Sequence, residues 1–370
     1  MSVRASNAID FWRGFALATI FVNHVPGIAY ERLTHRNFGI SDSAELFVFL
    51  AGWSLRGLTA SRDDPLTMQR MILRVGARGV TLYAAQIVIT MLAIALLAVV
   101  ALTFEHPLLL EWHNAAAVFQ DPIRTHVGLV LLTHQLGYFD ILPLYVVLMF
   151  GAILLAILHR LAPALVLPAS LALYVFALAT QKTIPTWPLE GVWFFNPLCW
   201  QLIFVLGFVA AGNDGIGGWI ARHPRALVVL GLPGVAFGLF VNLSGLRPDP
   251  MSVPAPFLFF VIDKSFLTPL RLWHALSLFA VVAGVYPHVQ RIIPRFVAFF
   301  CVLGRNSLYV FCVGSLASLA GQLARFLLGG SLAVDTVVVA VGIASLWVTG
   351  WLSELKDRLR KGSSLQPLSG

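Results

Sequence analysis

Long apolar runs, broken by short clusters of charge, glycine and proline, dominate the pattern of this chain. The run AQIVITMLAIALLAVVAL at 85–102 is by itself close to the ~20 apolar residues that cross a hydrocarbon core. Reading the same signal along the sequence predicts ten membrane helices, at about 9–26, 42–58, 78–103, 141–159, 162–179, 197–212, 226–243, 269–287, 296–321 and 333–352. The second and sixth are short. Residues 104–140 are too polar for another span; they hold His106, His113, His126 and His134 and are expected to form interfacial helices. The piece PFLFFVI within 244–268 is too short to cross. The expected fold is all-α: a polytopic membrane helix bundle of about ten transmembrane helices. It reads as one domain over 1–353, followed by a frayed cytoplasmic tail over 354–370. No polar stretch is long enough for a separate soluble domain, the first apolar run carries no small-residue cleavage site, and no internal repeat stands out.

Composition agrees with this class. Hydrophobic residues make up 58% of the 370 and charged residues 11%, with a mean hydropathy of +0.84. The net charge of +8 raises the question of nucleic acid, and its distribution answers it. With the N-terminus in the cytoplasm, inside segments hold 15 Lys and Arg and outside segments 7, while Arg13, Arg271 and Arg305 fall within spans. That asymmetry is the positive-inside rule, so both ends are expected in the cytoplasm and a nucleic-acid role is rejected. Cys199, Cys301 and Cys312 all sit in apolar runs, which gives neither a disulfide framework nor a metal signature.

Ionisable side chains inside spans are costly and therefore mark function by default. The first helix carries Arg13 and His24. Eleven residues make about three turns and ~16 Å, so both lie on one face, the arginine toward the cytoplasm and the imidazole toward the outer side. This stripe suits an anion held low and proton chemistry high; snorkelling of Arg13 and a structural hydrogen bond at His24 are the plainer alternatives. In RNFGISDSAELFVFLAGWS, Asp42 and Glu45 stand at the mouth of the second span, spaced to share a face. Carboxylates there can orient an imidazole and stabilise its cation, or one of them can simply cap the helix. Arg271 and His274 share a face in RLWHALSL, while Arg305, Asn306 and Ser307 lie inside the ninth span in GRNSLYVF. Asp140, Asn196 and Gln201 add further polar positions. No P-loop, HExxH, GxSxG or dinucleotide fingerprint is present, and no metal site is expected.

The blocks IDFWRGFALATIFVNHVPG, LTHRNFGISDSAELFVFLAGWS, FDILPLYVVLM, FNPLCWQLIFVLG, RLWHALSL and GRNSLYVF, in this order over nearly the whole chain, resemble the OpgC family of the acyltransferase-3 superfamily. The resemblance implies an inner-membrane enzyme that succinylates periplasmic glucans from cytoplasmic succinyl-CoA. It implies His24 as general base, Arg13 on the donor, and Asp42 and Glu45 in support. Ser43 stands where the family pattern favours alanine, a change that does not touch the chemistry.

These two lines give one expectation. CoA docks at the cytoplasmic mouth on Arg13 and basic residues of 56–78, and its pantetheine arm threads the bundle. His24 deprotonates a glucan hydroxyl. Arg271, His274, Arg305, Asn306 and Ser307 hold the substrate or its oxyanion. No tightly bound cofactor is expected; the partners are acyl-CoA, a glucan acceptor and membrane lipid. Two rivals from other classes stay open: a transporter or flippase for a glycan or acyl carrier, and a sensor or assembly subunit of a glucan-producing complex.

Overall fold

The structure, a computed structural model, describes residues 7–59, 67–213 and 215–363, with side chains as far as 360. Arg4 and Arg62, counted above among the inside charges, lie outside the described residues. Among the described residues fourteen α-helices follow one another: α1 (Ala8–Asn23), α2 (Ser43–Thr59), α3 (Met68–Thr103), α4 (Ala116–Gln120), α5 (Pro122–Val130), α6 (Ile141–Leu161) and α7 (Val166–Thr180). Then come α8 (Pro197–Ala210), α9 (Gly215–Arg222), α10 (Pro224–Ser244), α11 (Pro269–Ile292), α12 (Pro294–Arg305), α13 (Ser307–Leu328) and α14 (Leu332–Ser363). Among the described residues there is no strand, only an isolated bridge between Pro185 and Val192, and the fold is all-α.

Among the described residues, seven helical segments are long and apolar enough to cross a membrane, or eight if α8 and α9, bent by 67°, form one broken span. This is a multi-pass membrane protein, with fewer full-length spans than the ten expected. The first, second and sixth expected spans are helices of 16, 17 and 14 residues, at or below the shortest that cross a hydrocarbon core unaided. The ninth is a correction: it divides at Asn306 into α12 and α13, so Arg305 ends one helix and Ser307 begins the next. Asn306, with φ −106 and ψ 30, leaves helical geometry there. The tail is a second correction. α14 continues through 354–363, held by Glu354, which pairs with Arg305 at 2.7 Å and Arg358 at 3.5 Å. Residues 364–370 lie outside the described residues.

The chain divides into two units, Met1–Thr34 with Val285–Gly370, and His35–Gly284. Each is organised around one helix pair in backbone contact. In the first unit, a Cβ on Gly14 would fall 1.9 Å from the Phe300 carbonyl oxygen, and one on Gly304 1.8 Å from that of Asp10. In the second, a Cβ on Gly52 would fall 1.8 Å from the Phe204 oxygen, and one on Gly207 2.0 Å from that of Phe49. Lipid tails are as apolar as leucine, so helices gain little by merely hiding side chains from them; small residues that admit close backbone packing hold such pairs together.

In the second unit, α2, α6, α8 and α11 run in the same direction. Near their N-terminal ends lies the loop 263–268: Lys264 reaches Asp42, and Trp200 and Asn196 bond this loop's carbonyls. Toward their C-terminal ends Arg56 of α2 meets His159 of α6 and lies over the Phe208 ring of α8, while the rings of Phe49 and Phe279 join α2 to α11. α3 runs against α6, with Met71 beside Ala156, Gly79 beside Phe150, and Gln86 donating to the Phe139 carbonyl. At 36 residues, about 54 Å, α3 extends well beyond that level. Residues 104–139 double back along this extension, burying Leu109, Leu129 and Leu136 and tying the Val130 carbonyl to Tyr83 at 2.8 Å. The polar segment 104–140 is thus a set of short helices, α4 and α5 with a 3₁₀ turn at Pro107–Asn114.

Candidate active site

The charged centre of the second unit begins with the local sequence SDSAE. Asp42 stands before α2 and accepts from the Ala44 amide through Oδ1 at 2.9 Å, while Glu45 Oε2 accepts from the Asp42 amide at 3.0 Å. This reciprocal pair is a capping box that satisfies otherwise orphaned donors of the first turn. Capping leaves Asp42 Oδ2 and Glu45 Oε1 to face cations. Arg271 of α11 donates through Nε to Glu45 Oε1 and through Nη2 to Asp42 Oδ2 at 3.2 Å. Lys264 donates to the same Asp42 oxygen at 2.6 Å. Glu45 is fully buried at 0% exposure, so its charge depends on that guanidinium.

One turn beyond Arg271, the buried His274 ring fills a slot between two glycines. A Cβ on Gly39 would come within 2.5 Å of it, and one on Gly238 within 2.1 Å. Its Nδ1 hydrogen-bonds the Ser41 hydroxyl at 2.7 Å. Asp140, just before α6, lies in the field of Lys264; burial pushes its carboxyl up to about 6, and the lysine works against that shift. Burial likewise holds the His35 imidazole below its ordinary value, opposed by Asp42. The N-terminal ends of α2, α6, α8 and α11 all lie at this level, and each contributes partial positive charge.

The loop that presents Lys264 is fixed at almost every backbone group. Asp263 N donates to Thr268 Oγ1 at 2.9 Å and Phe266 N to Asp263 Oδ1 at 2.8 Å. The Trp200 indole donates to the carbonyls of Lys264 and Ser265 at 3.1 and 3.2 Å, and Tyr174 donates to that of Leu267 at 2.7 Å. Leu267 takes a left-handed φ of 46, which closes the turn.

In the first unit, Arg13 lies 3.9 Å from Asp10, which also accepts from Asn7 Nδ2 at 2.6 Å. His24 is the C-cap of α1, half-buried, with φ −88 and ψ 7. The segment after it is fastened by α13 and α14. Gln322 donates to the His24 carbonyl at 2.5 Å, and Arg325 to the carbonyls of Pro26 and Gly27. Asp335 accepts from Arg325 at 2.6 Å and from the Ala29 amide at 2.7 Å. Arg305 is held by Glu354, and Asn306 donates back to the Val302 carbonyl at 2.9 Å.

Of the residues singled out in the sequence, Asp42, Glu45, Arg271 and His274 therefore gather in one cluster of the second unit, while Arg13, His24, Arg305, Asn306 and Ser307 belong to the first. Lys264, Gln322, Arg325 and Asp335 did not stand out in the sequence. Lys264 follows an apolar piece too short to span, Gln322 is an uncharged residue within α13, and Arg325 and Asp335 are ordinary charges near helix ends. Among the described residues, no group of three His, Cys, Asp or Glu side chains is placed to hold a metal ion.

A family model described as OpgC protein matches residues 5–358 of this chain. No curated protein and no solved structure matches it.

Proposed function

The chain belongs to the OpgC family, which at the family level makes it a glucan-modifying membrane acyltransferase, and we propose that it transfers a succinyl group from cytoplasmic succinyl-CoA to hydroxyls of a periplasmic glucan. The observation that carries this reading, beside the family, is the charged centre of Asp42, Glu45, Arg271 and Lys264 at the head of four helices. A bundle that needed only to span a bilayer would not gather four formal charges with Glu45 and Arg271 buried among them, because a buried charge is expensive in a low-dielectric interior.

In this proposal His24 takes the proton of the acceptor hydroxyl. The oxygen attacks the thioester carbonyl, the tetrahedral intermediate collapses with cleavage of the carbon–sulfur bond, and the CoA thiolate takes the proton back from the imidazolium. Arg13 exchanges Asp10 for a donor phosphate. Arg271 and His274 border the acyl group, Asp42 and Glu45 fix Arg271, and Arg305, Asn306 and Ser307 are assigned to substrate binding. The protein works in the inner membrane with both termini in the cytoplasm.

The test is mass spectrometry of periplasmic glucans from deletion cells complemented with wild type or His24→Ala at matched membrane levels. A ladder of succinyl mass steps restored by wild type alone is the expected result. A ladder from both forms removes His24 from the chemistry. Glycan flux in proteoliposomes without covalent change overturns the enzyme reading in favour of a transporter.

A further inference from the structure

Two cations serve the buried carboxylates of the second unit, and they are not equivalent. Arg271 is committed to two carboxylates: it bridges Glu45 and Asp42 with its side chain 10% exposed. Lys264 retains 28% exposure and one close carboxylate partner, Asp42. That partner does not depend on it, since Asp42 keeps Arg271 through the same oxygen and the Ala44 amide through the other. Withdrawal of Lys264 would leave no buried carboxylate stranded.

The sequence adds a second argument. The chain has four lysines against twenty-one arginines, yet lysine stands at 264. Arginine offers a planar fork that locks onto one carboxylate; lysine is a compact charge that can swing between acceptors. Its flexible head contrasts with its rigid base, the loop 263–268 pinned by Trp200, Tyr174, Asn196 and Thr268. The rings of Phe194 and Phe195, 5.8 and 5.5 Å from Nζ, give that head an apolar, polarisable border. An anchored lysine with an exchangeable partner, apolar walls and four helix N-terminal ends nearby is a receptor for a carboxylate on an otherwise aliphatic group.

From this arrangement we propose that Lys264 is the specificity residue for the acyl donor: its ammonium, moving from Asp42, binds the free terminal carboxylate of a dicarboxylic acyl thioester. The inference rests on the acyltransferase reading above and names the acyl class that reading uses. It assigns the acyl carboxylate to a residue outside every membrane helix, in the loop before α11.

The test compares succinyl-CoA with butyryl-CoA, a donor of the same chain length without the charge, using purified full-length protein in proteoliposomes and a linear glucan acceptor. Wild type, Lys264→Met and Lys264→Arg are assayed in parallel. Lys264→Met is expected to lose about 100-fold in kcat/KM for succinyl-CoA, mostly through KM, and less than about threefold for butyryl-CoA. Lys264→Arg is expected to recover part of the succinyl rate. An equal fall with both donors overturns the proposal and makes Lys264 structural; an unchanged succinyl rate places the acyl carboxylate elsewhere. If Lys264→Met yields no folded protein, Lys264→Met with Asp42→Asn restores the charge balance and is read by the same donor ratio. Wild-type protein that transfers neither acyl group would sink the acyltransferase reading itself, a result distinct from a wild type that turns over while the ratio stays put.

Discussion

Gly52 and Gly57 lie on the same helix, and one methyl group added to each should have opposite effects. At Gly52 the new Cβ would sit 1.8 Å from the Phe204 carbonyl oxygen and 2.7 Å from its carbon. Relief to an ordinary contact moves α2 and α8 apart by about 1.5 Å, and the reciprocal contact of Gly207 with Phe49 opens with it. Overpacking of this kind costs about 1–3 kcal/mol, and a gap of ~1 Å along the rest of the interface forfeits up to about half of each dispersion contact. The two together put Gly52→Ala at roughly 3 kcal/mol or more of destabilisation. A Cβ on Gly57 meets nothing within 4 Å, so Gly57→Ala should be neutral or stabilising by about 0.5–1 kcal/mol. The contrast is readable as the SDS mole fraction at half-unfolding in mixed micelles, followed by tryptophan fluorescence. Because α2 carries Asp42 and Glu45, and α8 carries the Trp200 that pins the lysine loop, Gly52→Ala should also lower acyl transfer in protein that remains folded. Equal midpoints for the two variants would refute backbone-to-backbone packing at this crossing.

Two further outcomes follow from the charged centre. Glu45→Ala leaves Arg271 with Asp42 alone and should destabilise by about 3–5 kcal/mol, whereas Arg271→Met with Glu45→Gln should cost clearly less than the sum of the single changes; additive losses in the same SDS assay would show that the pair is not coupled. Asp140, raised from 3.8 to about 6, contributes stability that is full below pH ~4 and lost as pH climbs through 6, by at most about 3 kcal/mol. Asp140→Asn should therefore flatten the stability profile between pH 4 and 7, and an unaltered slope would assign that titration to another group.

Much of this architecture is legible from hydrophobic runs because a bilayer leaves the backbone few choices, and α6, α7 and α10 lie within a few residues of where the pattern puts them. The break at Asn306 is not legible: Gly304, Arg305, Asn306 and Ser307 read as a polar interruption of one long run, and Arg305 finds Glu354 only through the fold. The pairing of Asp42 and Glu45 with Arg271 shows the same division. Each stood out as a charge in an apolar setting, and the i, i+3 spacing of the carboxylates pointed to a shared face; what they face is a helix more than two hundred residues away. Lys264 was invisible because loop lysines are common and nothing local marks the carbonyls that Trp200 and Tyr174 bind. Sequence patterns report what a residue costs where it sits, whereas partnership depends on long-range closure.

That division also explains why the centre sits where it does. Four helix N-terminal ends, each worth about half a positive charge, favour carboxylates at their heads, and Asp42, Glu45 and Asp140 occupy that region. Burial opposes the same carboxylates, and at Asp140 burial wins. Asp42 and Glu45 are held in ion pairs because Arg271 and Lys264 add formal charge that the helix ends alone do not supply. Arg271 is committed to both carboxylates, so the adjustable member of the set is Lys264. An incoming carboxylate that takes the lysine replaces one ion pair with another and leaves Asp42 on Arg271 and its helix cap. An uncharged acyl group makes no such exchange, and selection between the two would then arise from one side chain without rearrangement of the helices that carry it.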